Sequence, residues 1–304
     1  ALSSDGTSLL LDGTAIGGGG TALELYAENP SSPTAPSATG TNAVAIGSAA
    51  IAGGNQSVAL GAANSSGVQS FSAQINNTDT AYGATGANSI SIGKSSQATG
   101  TQAIAIGKEA RSLGYASIAI GDGSRGNANW SVATGYNAKS YGDKSHALTN
   151  SYASGADSFA AAIANNTSSY GATGANSVAI GRLAKASGSN SVAIGNFTKA
   201  AGAQSVVVGY QSNDTSTGVG AAAFGRNADA GSPYSAALGP ESVTAGSNNY
   251  ASALTNSYAS GSNSFAAAIT NNTSSYGASG ANSVAIGQYS RATGGGGISI
   301  GSAF

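Results

Sequence analysis

The 304-residue chain contains no cysteine and no methionine, a single histidine, a single tryptophan and only 8% charged residues. Without cysteine there is neither a disulfide nor a thiolate metal site. With one histidine, His146, a His-based metal cluster is excluded, and a Ser-His-Asp relay has only that residue to be built around. Charge is scarce and balanced, eleven Lys and Arg against twelve Asp and Glu. The electrostatic footprint of a nucleic-acid or anionic-membrane binder is missing, and neither partner is expected. No apolar run approaches the roughly 18 residues of a membrane span. Ala1-Leu2-Ser3-Ser4 shows neither a basic n-region nor an apolar h-region, which leaves a cytosolic chain or an excised mature piece, the second being preferred.

Large aliphatic side chains are also sparse, and Ala, Ser, Asn, Thr and 46 Gly fill their place. Low hydrophobicity combined with high net charge would mean disorder, but here the net charge is -1 and the apolar residues recur in register. Order must come from repetition. The run Ser177-Val178-Ala179-Ile180-Gly181 returns at 191-195 and 283-287, and as SVVVG at 205-209. The glycine closing such runs falls at 47 and 61; at 93, 107, 121 and 135; at 181, 195 and 209; at 225 and 239; and at 287 and 301. Within each group the step is 14. Thr149 and Thr255 stand in for it at two further turns. A second glycine seven residues on, as at Gly54, Gly100 and Gly188, halves the repeat into two short strands and two corners.

Three intervals, 61-93, 149-181 and 255-287, span 32 residues each and carry Phe71-Ser72-Ala73-Gln74-Ile75, Phe159-Ala160-Ala161-Ala162-Ile163 or Phe265-Ala266-Ala267-Ala268-Ile269. Each reads as two turns with enlarged loops, near 62-92, 150-180 and 256-286, for a total of 18 turns. Residues 147-181 match 253-287 at 31 of 35 positions, so a larger unit is duplicated as well.

Alternation places Val178 and Ile180 on one strand face and Ser177 and Ala179 on the other. Neither face is charged, which suits a parallel stack in which each turn bonds to the turns above and below. Val and Ile are expected to fill the turn, leaving the Ser/Ala face in need of cover; so thin a roll calls for self-association. Five residues before the closing glycine an amide recurs: Asn42, Gln56, Asn88, Gln102, Asn176, Asn190, Gln204 and Asn282. It reads as a corner ladder satisfying backbone groups rather than as a binding stripe.

The repeated NSVAIG (Asn176-Gly181, Asn282-Gly287), the spacing of 14, and downstream positions such as Gly93-Lys94-Ser95-Ser96-Gln97-Ala98-Thr99-Gly100 resemble the YadA-like head repeats of trimeric autotransporter adhesins. The resemblance covers about 42-301, with Gly93, Gly107, Gly121, Gly181, Gly195, Gly287, Gly301, Val178 and Ile180 as its structural repeat. It implies an all-β, left-handed parallel β-roll that assembles as a homotrimer. It also implies a non-enzymatic adhesin head displayed outside a Gram-negative cell, binding host extracellular-matrix protein, a cell surface or an abiotic surface. A structural spacer of a surface fibre is the alternative. No neck, heptads or anchor strands follow the repeats, so a fragment of an outer-membrane-anchored fibre is expected, itself without membrane contact and without a cofactor.

Residues 1-41 do not follow the repeat and are expected to cap the roll, a tip-binding element being the alternative. Gly121-Asp122-Gly123-Ser124-Arg125-Gly126 matches G-x-G-x-x-G, but the next repeat follows where a dinucleotide site needs a helix. A hexapeptide-type acyltransferase solenoid uses a different period, and His146 occupies a Val slot of the repeat. Candidate ligand-contact positions are Asn76 and Asn77, Asn165, Asn166 and Thr167, and Asn271, Asn272 and Thr273 in the wider turns, together with Trp130, which replaces a corner amide as Tyr234 does.

Overall fold

The computed structural model describes residues 34-73, 81-165, 167-214, 219-245, 250-270 and 273-302. It also gives the backbone of four strands, Leu2–Ser4, Leu9–Leu11, Thr14–Ile16 and Leu23–Leu25. Two compact units, Ala1–Ala116 and Ser117–Phe304, follow one plan. In the first, the tripeptide before each closing glycine forms a rung of a parallel sheet at Val44–Ile46, Val58–Leu60, Phe71–Ala73, Ile90–Ile92 and Ile104–Ile106. Like stacks on like: Val44 pairs with Val58, and Ile90 with Ile104. Two-residue strands from Ser37–Ala38 to Arg111–Ser112 form a second parallel sheet on the other side of each turn.

The second unit repeats the plan, with first-sheet rungs from Ile118–Ile120 to Ile298–Ile300 and second-sheet rungs from Arg125–Gly126 to Arg291–Ala292. Among the described residues the second sheet has eighteen rungs, six in one unit and twelve in the other, and no helix occurs. In the first unit, Leu2–Ser4, Leu9–Leu11 and Thr14–Ile16 make a separate antiparallel sheet. Leu23–Leu25 pairs in parallel with Val44–Ile46.

The interior reverses one expectation. Ala179, not Val178 or Ile180, points inward: the rung Val178–Ile180 is buried at its centre and half-buried at its ends. The inward column of the second unit reads Ala119, Ala133, Ala147, Ala160, Ala179, Ala193, Val207, Ala223, Ala237, all fully buried. A 14-residue turn brings its two sheets so close that small side chains fill the space between them, and Val207 is the one larger side chain in this column. Large aliphatics are therefore forced outward, and it is the Val/Ile face that lacks cover.

The serine of SVAIG has its own task. Ser177 Oγ is buried and donates to the Gly174 carbonyl at 2.6 Å; Ser191 does the same to Gly188 and Ser205 to Gly202. These bonds close the corner that the second glycine opens, which couples the two motifs seven residues apart. Ser177→Ala is expected to lower stability by about 1 kcal/mol by removing this bond inside a dry interior, read as a small drop in denaturation midpoint at unchanged m-value.

Corner geometry accounts for the amides. All eight residues of the amide column have φ between 53° and 61°, the left-handed region that Asn tolerates best among residues with a side chain. Side chains bridge neighbouring turns, as Gln69 Nε2 donates to Gln56 Oε1 at 2.8 Å and Asn263 Nδ2 to Asn282 Oδ1 at 3.1 Å. The closing glycines are left-handed as well: φ is 122° at Gly93, 127° at Gly107 and Gly121, 119° at Gly181, 126° at Gly195, 106° at Gly287 and 117° at Gly301. Thr149 and Thr255 lack the positive φ of a closing glycine, and Asn150 and Asn256 take the left-handed corner that elsewhere falls two residues after it, as at Asn137 and Leu183.

The 32-residue intervals hold two turns each, of unequal size. His146 pairs with Phe159, thirteen residues on, and Phe159 with Val178, nineteen on. The first turn is thus a residue short, and the whole enlargement falls in one loop between Ala161 and Gly171. Ile163 and, in the duplicate, Ile269 fold back to become the largest fully buried side chains. Their amides donate to Ser151 Oγ and Ser257 Oγ, both at 3.2 Å.

Candidate functional site

The outward side of the first sheet is the most unusual surface of the second unit. In the second unit one outward column reads Ile120, Thr134, Leu148, Ala161, Ile180, Ile194, Val208, Phe224, Leu238 in register. The parallel column beside it carries Ile118, Val132, His146, Phe159, Val178, Val192 and Val206. Ile120 is 39% exposed, Leu148 41% and Phe224 40%. Scattered exposed aliphatics are ordinary, but a continuous apolar strip along successive rungs marks an interaction surface. His146 stands exposed in this strip between Val132 and Phe159.

Two cavities open on the same side, at equivalent places in the two copies of the duplicated unit. One, of about 390 Å³, is lined by Leu148, Thr149, Asn150, Ala162 and Ala164; the other, of about 460 Å³, by Leu254, Thr255, Asn256, Ala267, Ala268 and Thr270. Ala162, Ala164, Ala268 and Thr270 have φ of 55°, 57°, 53° and 63°, a conformation that costs a non-glycine residue about 1–2 kcal/mol. The wider loops are therefore held in a strained shape around each cavity.

Asn165 follows Ala164 directly. Its Oδ1 accepts from the Thr167 amide at 3.1 Å, a local turn. Thr167 and Thr273 are exposed and accept through their carbonyls from the amides of Tyr170 and Tyr276. Asn76, Asn77, Asn166, Asn271 and Asn272 lie outside the described residues. Trp130, far from these loops in the chain, holds a corner position with φ of 53° and 49% exposure. Tyr234 is its counterpart, φ 52°, and stacks on Tyr250 with ring centroids 5.3 Å apart and 16° between planes. Tyr250 stands five residues before Thr255, as Tyr234 stands five before Gly239.

Repeat geometry decides the kinship. A family model described as YadA head domain repeat (2 copies) matches residues 38–70, 84–110, 98–124, 172–198, 186–212, 216–242 and 278–303, more than half of the chain. The chain belongs to the YadA head family. Heads of this family are surface-exposed parts of trimeric autotransporters, and the family is one of non-enzymatic adhesins. The unmatched stretches of this YadA-type head include the enlarged loop of each wider turn, within 71–83, 125–171 and 243–277. Comparison with curated proteins gives no match. Among the described residues no helix is long and apolar enough to cross a membrane, and no three His, Asp or Glu converge as a metal site would need.

Proposed function

We propose that three copies of this chain pack through the apolar strip of the first sheet, as left-handed rolls, into a trimeric head. That head attaches a Gram-negative cell to host matrix protein, to another cell surface or to an abiotic surface. One observation supports the reading above the others: the Val/Ile/Leu/Phe strip, which an interior filled mostly by Ala and Ser leaves uncovered. Affinity then comes from many weak contacts repeated over three rolls and many fibres. Residues 1-41 cap the first rung, whose open edge would otherwise pair with another chain. The wider loops and the corner aromatics are the contact points.

The test is adhesion of beads coated with the full chain to collagen, fibronectin, cultured cells and polystyrene. Retention above beads carrying an unrelated protein on at least one surface is expected. Retention on none would overturn the reading in favour of a spacer. His146 offers a check on the assembly itself. A polar ring buried among Val132 and Phe159 of three rolls is unfavourable, so His146→Val is expected to stabilise the trimer by about 1 kcal/mol per copy, seen as a rise in melting temperature.

A further inference from the structure

The second sheet carries its own outward column. Read along the second unit it is Arg125, Lys139, Tyr152, Gly171, Lys185, Lys199, followed by Asn213 and Asp229. Arg125 pairs directly with Lys139, and Lys185 with Lys199, so like charges sit one strand spacing apart. Such neighbours repel and destabilise a sheet. Burial and the adjacent Arg125 hold the Lys139 ammonium below the usual lysine value. The chain has twelve acids with which to break the row, yet none stands in it between Arg125 and Lys199. Among the described residues, neither Arg125, Lys185 nor Lys199 has an acidic partner within 4.0 Å. Arg125 and Lys199 are exposed, Lys139 and Lys185 half-buried.

The row is one residue wide and about 24 Å long at a strand spacing near 4.8 Å. Its flank on the next position is neutral, with hydrogen-bonding side chains at Asn127, Tyr141, Ser154, Thr173 and Ser187 and Ala201 beside Lys199. Tyr152 lies within it, braced edge-on by Tyr141 at 5.5 Å. We propose that this row binds a linear sulfated polysaccharide laid along the stack. A pyranose unit is about as long as one turn is high, so sulfates on neighbouring sugars meet Arg125 and Lys139 at one end of the row and Lys185 and Lys199 at the other, with the sugars between lying over Tyr152 and Gly171. A nucleic-acid duplex fits less well: it is wider than the row and would press on exposed Asp122, Asp143 and Asp157 at the corners beside it. The inference rests on the adhesin reading, of which it names one ligand class, since three rows per trimer supply the multivalency.

The experiment is binding of the full chain to immobilised heparin at about 0.15 M salt, where only close charge pairs survive screening. Replacing Arg125, Lys139, Lys185 and Lys199 together by Gln is expected to weaken binding about tenfold or more, equivalent to about 1.4 kcal/mol. Replacing Lys94, Lys108, Lys144 and Arg226 by Gln changes net charge equally and is expected to leave it within about twofold. The row variant keeps its β circular dichroism and melts no lower than the parent, because repulsion is relieved. Desulfated heparin is expected not to bind. Absence of heparin binding by the parent, equal loss in both variants, or duplex DNA bound as tightly through the same four residues would each overturn the inference. Failure on heparin with adhesion to proteins or plastic intact removes this inference alone; failure on every surface removes the adhesin reading too.

Discussion

A chain carrying Ile180→Glu with Ile194→Lys is expected to sediment as a monomer where the parent sediments at three times 28.9 kDa. The two residues pair in register on the outward side of the first sheet. In an isolated roll the new side chains reach water and oppose each other with opposite charge, so the cost to one chain is small. In a trimer both become buried, six charges in all. Desolvation costs several kcal/mol per ion even when a partner is near. Each lost isoleucine contact removes about 1 kcal/mol more, since the residues are already half-covered in a single chain. The sum exceeds the roughly 12 kcal/mol of a nanomolar contact. Adhesion of coated beads should fall with the loss of the trimer. A parent that sediments as a monomer, or a variant that remains trimeric, would sink the proposed packing.

That expectation depends on a feature the sequence hid. The step of 14, the two-strand turn and the number of turns were readable because the closing glycine of SVAIG marks most rungs, and Thr149 keeps its spacing where the glycine is replaced. The sidedness of the rung was not, because both faces are uncharged and the habit of placing large aliphatics inside pointed the wrong way. The signal lay in variation within the chain. The position of Ala179 accepts Ala, Ser and, at Val207, one valine, whereas the position of Val178 accepts Val, Ile, Phe, His, Ala and Ser. The side that tolerates little change in volume is the side without room.

The cations illustrate the same limit. In the linear sequence Arg125, Lys139, Lys185 and Lys199 look dispersed. The thirteen- and nineteen-residue turns between Lys139 and Lys185 break the simple step, so only the paired register of the strands collects them into a row. The sites in the wider loops were legible in part. Asn165 and Thr167 were singled out by residue type, and their local turn follows from it. The cavities beside them were not, because they depend on how Ala162 and Ala164 are bent rather than on what those residues are.

Glycine provides the second large effect and separates two causes that the sequence merges. At Gly195 φ is +126°, outside what a side chain adopts comfortably, and an added Cβ would also fall well under 3.0 Å from the Gly209 carbonyl oxygen of the next turn. Gly188 has an ordinary φ but the same collision, with the Gly202 carbonyl. Gly61 has φ of +69° and open space; Gly294 has neither constraint. Backbone strain costs about 1–3 kcal/mol, and forcing two hydrogen-bonded turns apart costs about as much again. Gly195→Ala is therefore expected to lose about 2–6 kcal/mol, a large share of a domain's stability. Gly188→Ala and Gly61→Ala should each lose a part, and Gly294→Ala should stay within about 0.5 kcal/mol of the parent. Denaturant midpoints of the four variants read this order directly. A Gly195→Ala chain as stable as Gly294→Ala would mean that successive turns do not approach as closely as the contact between Gly195 and the carbonyl of Gly209 requires.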